Sequence, residues 1–301
     1  MATFCNPSPY YMLQHSTWKD MINFLKTPVY ASLLVMAFST FISCSDDENE
    51  LKNDPMGLQL RADPVFGDVL TDAKGKTLYF FSNDAKGTST CTAGCLTTWP
   101  KYHSAETSTD MAVDKAEIGE ITRADGSKQT TYKGWPLYYF TGDNSANTIN
   151  GDGLEKIWFV AKPDYMLMVV NSQLVGANGK NYKEDLSEGM GNTIYFTDDR
   201  GRTLYAFAPD KFNKNTFTKE DFSNDPIWPI YQMISGALPS IIADELIDNI
   251  DVFGKKQLTY KGWPLYYFGQ DSQTGDNKGV SVPQPGIWPI VNENSSIAPS
   301  N

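Results

Sequence analysis

The sequence predicts an all-β protein of two tandem homologous domains, each built from two β-hairpin-based half-repeats. Three observations carry that prediction. The first is a phrase that occurs twice: residues 132–140 read Tyr-Lys-Gly-Trp-Pro-Leu-Tyr-Tyr-Phe, and residues 260–268 read the same nine letters. Such identity at a distance marks an internal duplication. The second is a repeated hairpin. Val69 to Phe81 sets two β-rich arms around Asp72-Ala-Lys-Gly75, and Phe196 to Phe207 does so around Asp198-Asp-Arg-Gly201. In each turn the Asp bonds its own backbone and the Gly supplies the positive φ that closes the loop. The third is composition: 16 Tyr, 16 Phe and 7 Trp beside 23 Gly and 17 Pro favour short strands and tight turns over long helices.

Residues 1–43 read as an address. Lys26 precedes an apolar run from Pro28 to Ile42. That run is short for a membrane span, which needs ~20 residues, and suits the core of a signal peptide. A start at Met21 gives a signal peptide of ordinary length. The run ends Phe41-Ile-Ser-Cys44, which resembles a bacterial lipobox. The resemblance implies cleavage before Cys44 and lipidation of its thiol, so that the membrane is a partner through this anchor only. Ser45-Asp-Asp-Glu-Asn-Glu50 opens a charged tether expected over 44–62. It resembles the acidic run of surface-directed Bacteroidetes lipoproteins, which implies a lipid-anchored place on the outer membrane.

The first β domain is expected over 63–163, the second over 164–293, with a tail at 294–301. Tyr165 to Val170 reads as a strand and Ala177-Asn-Gly-Lys180 as a hairpin turn, so the junction is packed rather than loose. A pattern of Tyr, any residue, Phe, two residues and Asp occurs four times. Its copies are Tyr79-Phe81-Asp84, Tyr138-Phe140-Asp143, Tyr205-Phe207-Asp210 and Tyr266-Phe268-Asp271. Residues i and i+2 of a strand share a face, so each Tyr and Phe point together while the Asp lies past the strand end. Two uses stay open. The aromatics can fill a core while each Asp caps a turn. Alternatively, the Tyr and Asp side chains line a groove that binds a small molecule, a glycan or an envelope protein.

Six tryptophans fall into pairs across the duplication: Trp99 with Trp228, Trp135 with Trp263, Trp158 with Trp288. Rings this large are expected in the core. Cys91 and Cys95 precede Trp99, whereas the second domain has Phe217 to Phe222 there and no cysteine. Two close cysteines in an exported protein form a disulfide. The loops 142–153 and 269–279 are rich in Gly, Asn and Asp. Asn150-Gly-Asp-Gly-Leu-Glu155 has oxygen ligands but departs from the calcium-loop pattern, so a solvated turn is expected.

Four copies of Tyr-x-Phe-x-x-Asp, with Leu-Thr-Asp-x-x-Gly-x-Thr-Leu-Tyr ahead of the first and Trp-Pro between, resemble a family of secreted lipoprotein repeats of unknown function. That family is marked by a Tyr-x-[Phe/Trp/Tyr]-x-x-Asp motif. The resemblance covers roughly 66–162 and 190–292. It implies an exported, repeated β module, and a cysteine pair in the first repeat, without implying an activity.

Enzyme signatures are missing. The chain has no Gly-x-Ser-x-Gly elbow, no phosphate loop and no His-Glu-x-x-His. Its two histidines, His15 and His103, restrict zinc and general-base chemistry. A net charge of −11 argues against nucleic acid as a partner. With 301 residues, two domains fit the length. The expectation is a non-catalytic envelope lipoprotein that binds or builds, without a cofactor. The alternative is a redox or metal-binding role at Cys91 and Cys95.

Overall fold

Leu58-Gln-Leu-Arg-Ala-Asp63 alternates apolar and polar residues, the period of a strand with one covered face. Gln59–Asp63 accordingly form β1, antiparallel to β2 (Gly67–Thr71). The computed structural model describes residues 54–300, so the signal peptide expected over 1–43, the lipidation expected at Cys44 and the start of the expected tether lie outside the described residues. The tether expected over 44–62 ends early: Leu58 is buried and 59–62 are strand.

The rest of the first half follows in order. Thr71 bridges Thr77 across the Asp72 turn, and β3 (Tyr79–Phe81) comes next. A single helical turn, α1 (Gly94–Thr98), leads to Trp99. Strands β4 (Ile118–Thr122), β5 (Lys128–Tyr132) and β6 (Trp135–Pro136) form an antiparallel sheet. Strand β7 (Trp158–Val160) then returns to pair with β3.

The second half repeats this plan. Strand β8 (Met168–Val175) lies between β9 (Asn181–Tyr182) and β10 (Asn192–Thr197). The strand expected from Tyr165 starts at Met168, because Tyr165 instead bridges Ala237. The Gly176 N–H donates to Lys180 O (2.9 Å), closing the turn expected at 177–180. Strands β11 (Ile247–Val252), β12 (Lys255–Tyr260) and β13 (Trp263–Pro264) match the β4–β5–β6 sheet. Tyr205 bridges both Tyr266 and Ile290, as β3 does with Tyr138 and β7 in the first half.

The repeated phrase is a hairpin in both places. Tyr132 pairs with Trp135 and Tyr260 with Trp263 across two-residue Lys-Gly turns. Lys133 and Gly134 have φ of 49° and 85°, Lys261 and Gly262 of 50° and 80°. Positive φ at both central positions matches the twist of the flanking strands. The following Pro sits on a sheet edge, where no N–H is needed.

Both halves belong to one compact unit and share a core that includes Leu70, Trp135, Leu174, Tyr205 and Trp288. The tail expected at 294–301 is docked as far as Pro299. Ala298 is buried and its N–H donates to Lys261 O (3.0 Å), while the Phe212 N–H donates to Pro299 O (2.8 Å). Among the described residues no helix is long and apolar enough to cross a membrane.

Candidate functional site

The four Tyr-x-Phe-x-x-Asp copies meet in pairs, and they meet crosswise. In the first half the Tyr79 and Tyr138 backbones bridge antiparallel, N–H to O both ways, at 2.8 and 3.0 Å. Each hydroxyl then reaches the other motif's carboxylate. Tyr79 donates to Asp143 Oδ2 (2.7 Å) and Tyr138 to Asp84 Oδ2 (2.6 Å). The second half does the same: Tyr205 donates to Asp271 (2.5 Å) and Tyr266 to Asp210 (2.7 Å). The eight residues singled out in the sequence therefore form two local pseudo-twofold clasps.

The second carboxylate oxygen holds a loop. Thr90 donates its N–H and its hydroxyl to Asp84 Oδ1, and Thr216 does so to Asp210, all at 2.7 Å. The Asn150 N–H donates to Asp143 Oδ1 (2.8 Å) and the Lys278 N–H to Asp271 Oδ1 (2.9 Å). The next residues, Gly151 and Gly279, donate their N–H groups to the Tyr79 and Tyr205 hydroxyls. A Cβ at Gly151 would stand 2.7 Å from Trp99 and 2.9 Å from Tyr79, and one at Gly279 would meet Tyr205 and Trp228 equally closely. So the loop expected as a solvated turn packs Gly151 onto the clasp, because the Asp143 carboxylate needs the Asn150 N–H. No group of three metal-ligating side chains occurs among the described residues.

Above each clasp lies a stack of four rings. Phe81, Trp158, Trp99 and Phe140 follow one another at centroid spacings of 4.0, 3.8 and 4.4 Å. Phe207, Trp288, Trp228 and Phe268 repeat this at 4.5, 3.7 and 4.5 Å. The Phe of each motif thus closes one end of a stack whose centre is a parallel Trp pair. Five of the six paired tryptophans are buried as expected, and Trp263 is half-buried.

Sequence reasoning missed a third contact. The second Tyr of the repeated phrase donates to the turn aspartate: Tyr139 to Asp72 (2.9 Å) and Tyr267 to Asp198 (2.8 Å). It also missed Gln129 and Gln257, whose amides donate to Leu137 O and Leu265 O. Their recurrence three residues before the phrase's first Tyr was the available signal.

Electrostatics follow from burial. Desolvation pushes Asp84 and Asp271 up to about 6, even though donated hydrogen bonds pull both back down. Burial also raises Asp143, Asp198 and Asp210, and raises the four clasp phenols, each beside its carboxylate.

Cys91 and Cys95 form a disulfide. It borders a cleft of about 400 Å³ between the halves, lined also by Phe81, Asn83, Thr90, Asn171, Ser172 and Asn192. The Asn171 amide donates to Asn83 Oδ1 (2.8 Å) across it.

Fold and clasp together define a class: an all-β protein of tandem half-repeats, locked in pairs by Tyr–Asp bonds and stacked tryptophans. Family comparison agrees. A family model described as a secreted repeat of unknown function, Lipoprotein_15, matches residues 62–101, 119–162 and 251–292, so three stretches of the chain are similar to that family's repeat. Residues 192–231 lie outside those three matches, yet supply Tyr205, Asp210 and Trp228 to the same geometry. No curated protein and no solved structure matches the chain.

Proposed function

We propose that this secreted-repeat protein is a non-catalytic, lipid-anchored binding module of the cell envelope, held at the outer membrane through Cys44. The Tyr–Asp clasps serve as its frame, and the cleft beside the disulfide takes the ligand. The carrying observation is the chemistry of that cleft: its lining is polar without a charged side chain, with Asn83 and Asn171 bonded to each other, Thr90 held by Asp84, Ser172 by Tyr195, and Asn192 and Thr92 beside them. A volume of about 400 Å³ falls within the range of small-ligand sites. Neutral donors and acceptors of this kind fit a hydroxylated, uncharged ligand such as a short glycan. Tyr79, Asp84, Tyr138 and Asp143 have internal partners for their polar atoms, which supports a framing role for them.

The test is a titration of neutral oligosaccharides into the mature chain, residues 44–301, followed by calorimetry. Asn171→Ala with Asn192→Ala should abolish binding and lower the melting temperature only slightly, by the one hydrogen bond to Asn83. Asp84→Ala with Asp143→Ala should lower the melting temperature more, since buried donors lose their acceptors at ~1–3 kcal/mol each. Binding lost in the Asp pair at an unchanged melting temperature would return the ligand site to the motif itself.

A second reading keeps the redox or metal role, because the disulfide itself borders the cleft. Metal analysis and thiol titration of protein taken from its native envelope test it. A pair that stays oxidised and carries no metal would end that reading.

A further inference from the structure

The repeated phrase does a different job at its outer edge in each half. In the first half the Lys133-Gly-Trp135 hairpin receives the Asp198–Gly201 turn of the second half. The Lys133 ammonium pairs with the Asp199 carboxylate, and Trp135 Nε1 donates to Asp199 O (3.0 Å). Trp135 is only 2% exposed. The same hairpin in the second half, Lys261-Gly-Trp263, receives no such turn. Its atoms instead find the C-terminal segment: Lys261 donates to Glu293 O (2.7 Å) and Ser295 O (3.0 Å), and Trp263 Nε1 to Ser296 O (2.8 Å).

The segment is an incomplete substitute for a turn. It offers Lys261 two neutral carbonyls where Lys133 has a carboxylate. It also leaves Trp263 half-buried, at the wall of a cleft of about 240 Å³ formed with Glu184, Asn292, Asn294 and Ser295.

We infer that the Lys261-Gly-Trp263 edge is a docking site for an acidic β-turn of a partner protein, and that residues 293–298 are an end cap seated in that site. The occupant is a turn of the Thr-Asp-Asp-x-Gly kind, whose second Asp places its carboxylate on Lys261 and its carbonyl on Trp263. A second copy of this chain is the poorer fit. Its Asp198 turn is already seated on Lys133, and its other turn has Ala73 where Asp199 supplies the carboxylate. The position after the second Asp is free to be apolar. Glu117, which pairs with Arg200 in the first half, stands immediately before β4, and Leu246 takes that place before β11. The second half's receptor edge is thus covered by a short strap rather than by a turn.

The probe is a cyclised peptide of residues 196–204 carrying Arg200→Leu, titrated against two variants that unseat the cap. One variant ends at Asn292. The other is Ala298→Arg, which places a charged side chain where the buried methyl sits. Both should bind the peptide saturably, while the intact protein binds it more weakly. Lys261→Met in either variant, or Asp199→Ala in the peptide, should weaken binding roughly tenfold or more, as expected for a lost charge-assisted contact of this kind. The inference is overturned if neither folded variant binds, or if the Asp199→Ala peptide binds equally well. Self-association of the uncapped variants without peptide would assign the edge to a second copy instead. Unfolding of both variants would show the segment to be part of the domain rather than a cap.

Discussion

The loops that follow Asp84 and Asp210 start and end alike and are closed by different chemistry. Both begin with a Thr that caps the carboxylate and end at a Trp in the ring stack. In the first half the Cys91–Cys95 disulfide closes the loop, and the Trp99 N–H donates to Cys95 O (2.8 Å). In the second half the loop is three residues longer and Asn224 takes the place of Cys95. The Asn224 amide donates to Phe217 O (2.8 Å) and accepts from the Lys219 N–H, while its carbonyl accepts from the Trp228 N–H (3.1 Å). Phe217 stands where Cys91 is, edge-on to Trp288 at 4.8 Å. A covalent cross-link and an amide with an aromatic plug thus do equivalent work. What the halves share is the clasp and the stack, and the closure around them is replaceable.

Three perturbations test that equivalence. The largest effect should come from the shared stack. Trp158→Ala and Trp288→Ala each remove one ring of a buried Trp pair and should cost ~3–5 kcal/mol in urea unfolding. Similar losses in the two halves are expected. One variant close to the parent protein would mean that the stack matters in one half only.

Next comes the closure itself. Replacing Cys91 and Cys95 with Ala should cost about 2 kcal/mol, the value for so short a loop. Reductant should reproduce that loss in the parent protein and change nothing in the variant. Asn224→Ala should cost ~1–2 kcal/mol, because a backbone N–H and a carbonyl lose their partner. Additive losses in the combined variant would show that the loops act independently.

The smallest and most diagnostic effect is on pH dependence. Asp84 and Asp271 have folded values of about 6, above the ~3.9 of an unfolded chain. Between those values the folded state binds more protons, so their contribution makes stability rise as pH falls from about 7 toward about 4. A melting temperature measured across that window should rise or hold. Asp84→Asn should remove the share of the slope that Asp84 supplies and leave that of Asp271. A steady fall in the parent protein would mean that the donated hydrogen bonds outweigh burial at these carboxylates.

Much of the clasp was legible before folding was considered. The shared face of Tyr79 and Phe81 follows from strand period, and the Asp72 and Asp198 turns from side-chain-to-backbone bonding. Burial of most tryptophans follows from their size. These are local rules, readable over a few residues. The candidate binding positions were legible as a recurring set, but their pattern was compatible with a groove as well as with a core.

Sequence alone thus determined the duplication, from nine identical letters at 132–140 and 260–268, and the hairpins and aromatic faces, which rest on spacings of about two or four residues. Tertiary structure decided which partner each polar group meets. Tyr79 meets Asp143 rather than the Asp84 of its own motif because the strand runs its carboxylate past the end of the face that its ring shares. The antiparallel bridge to Tyr138 brings in the other motif's carboxylate instead. The same holds for the edge of the repeated phrase. Nine identical residues form identical hairpins, yet one receives an acidic turn and the other a C-terminal strap. That choice depends on which segment the fold brings to each edge, a property of the whole fold that no window of sequence contains.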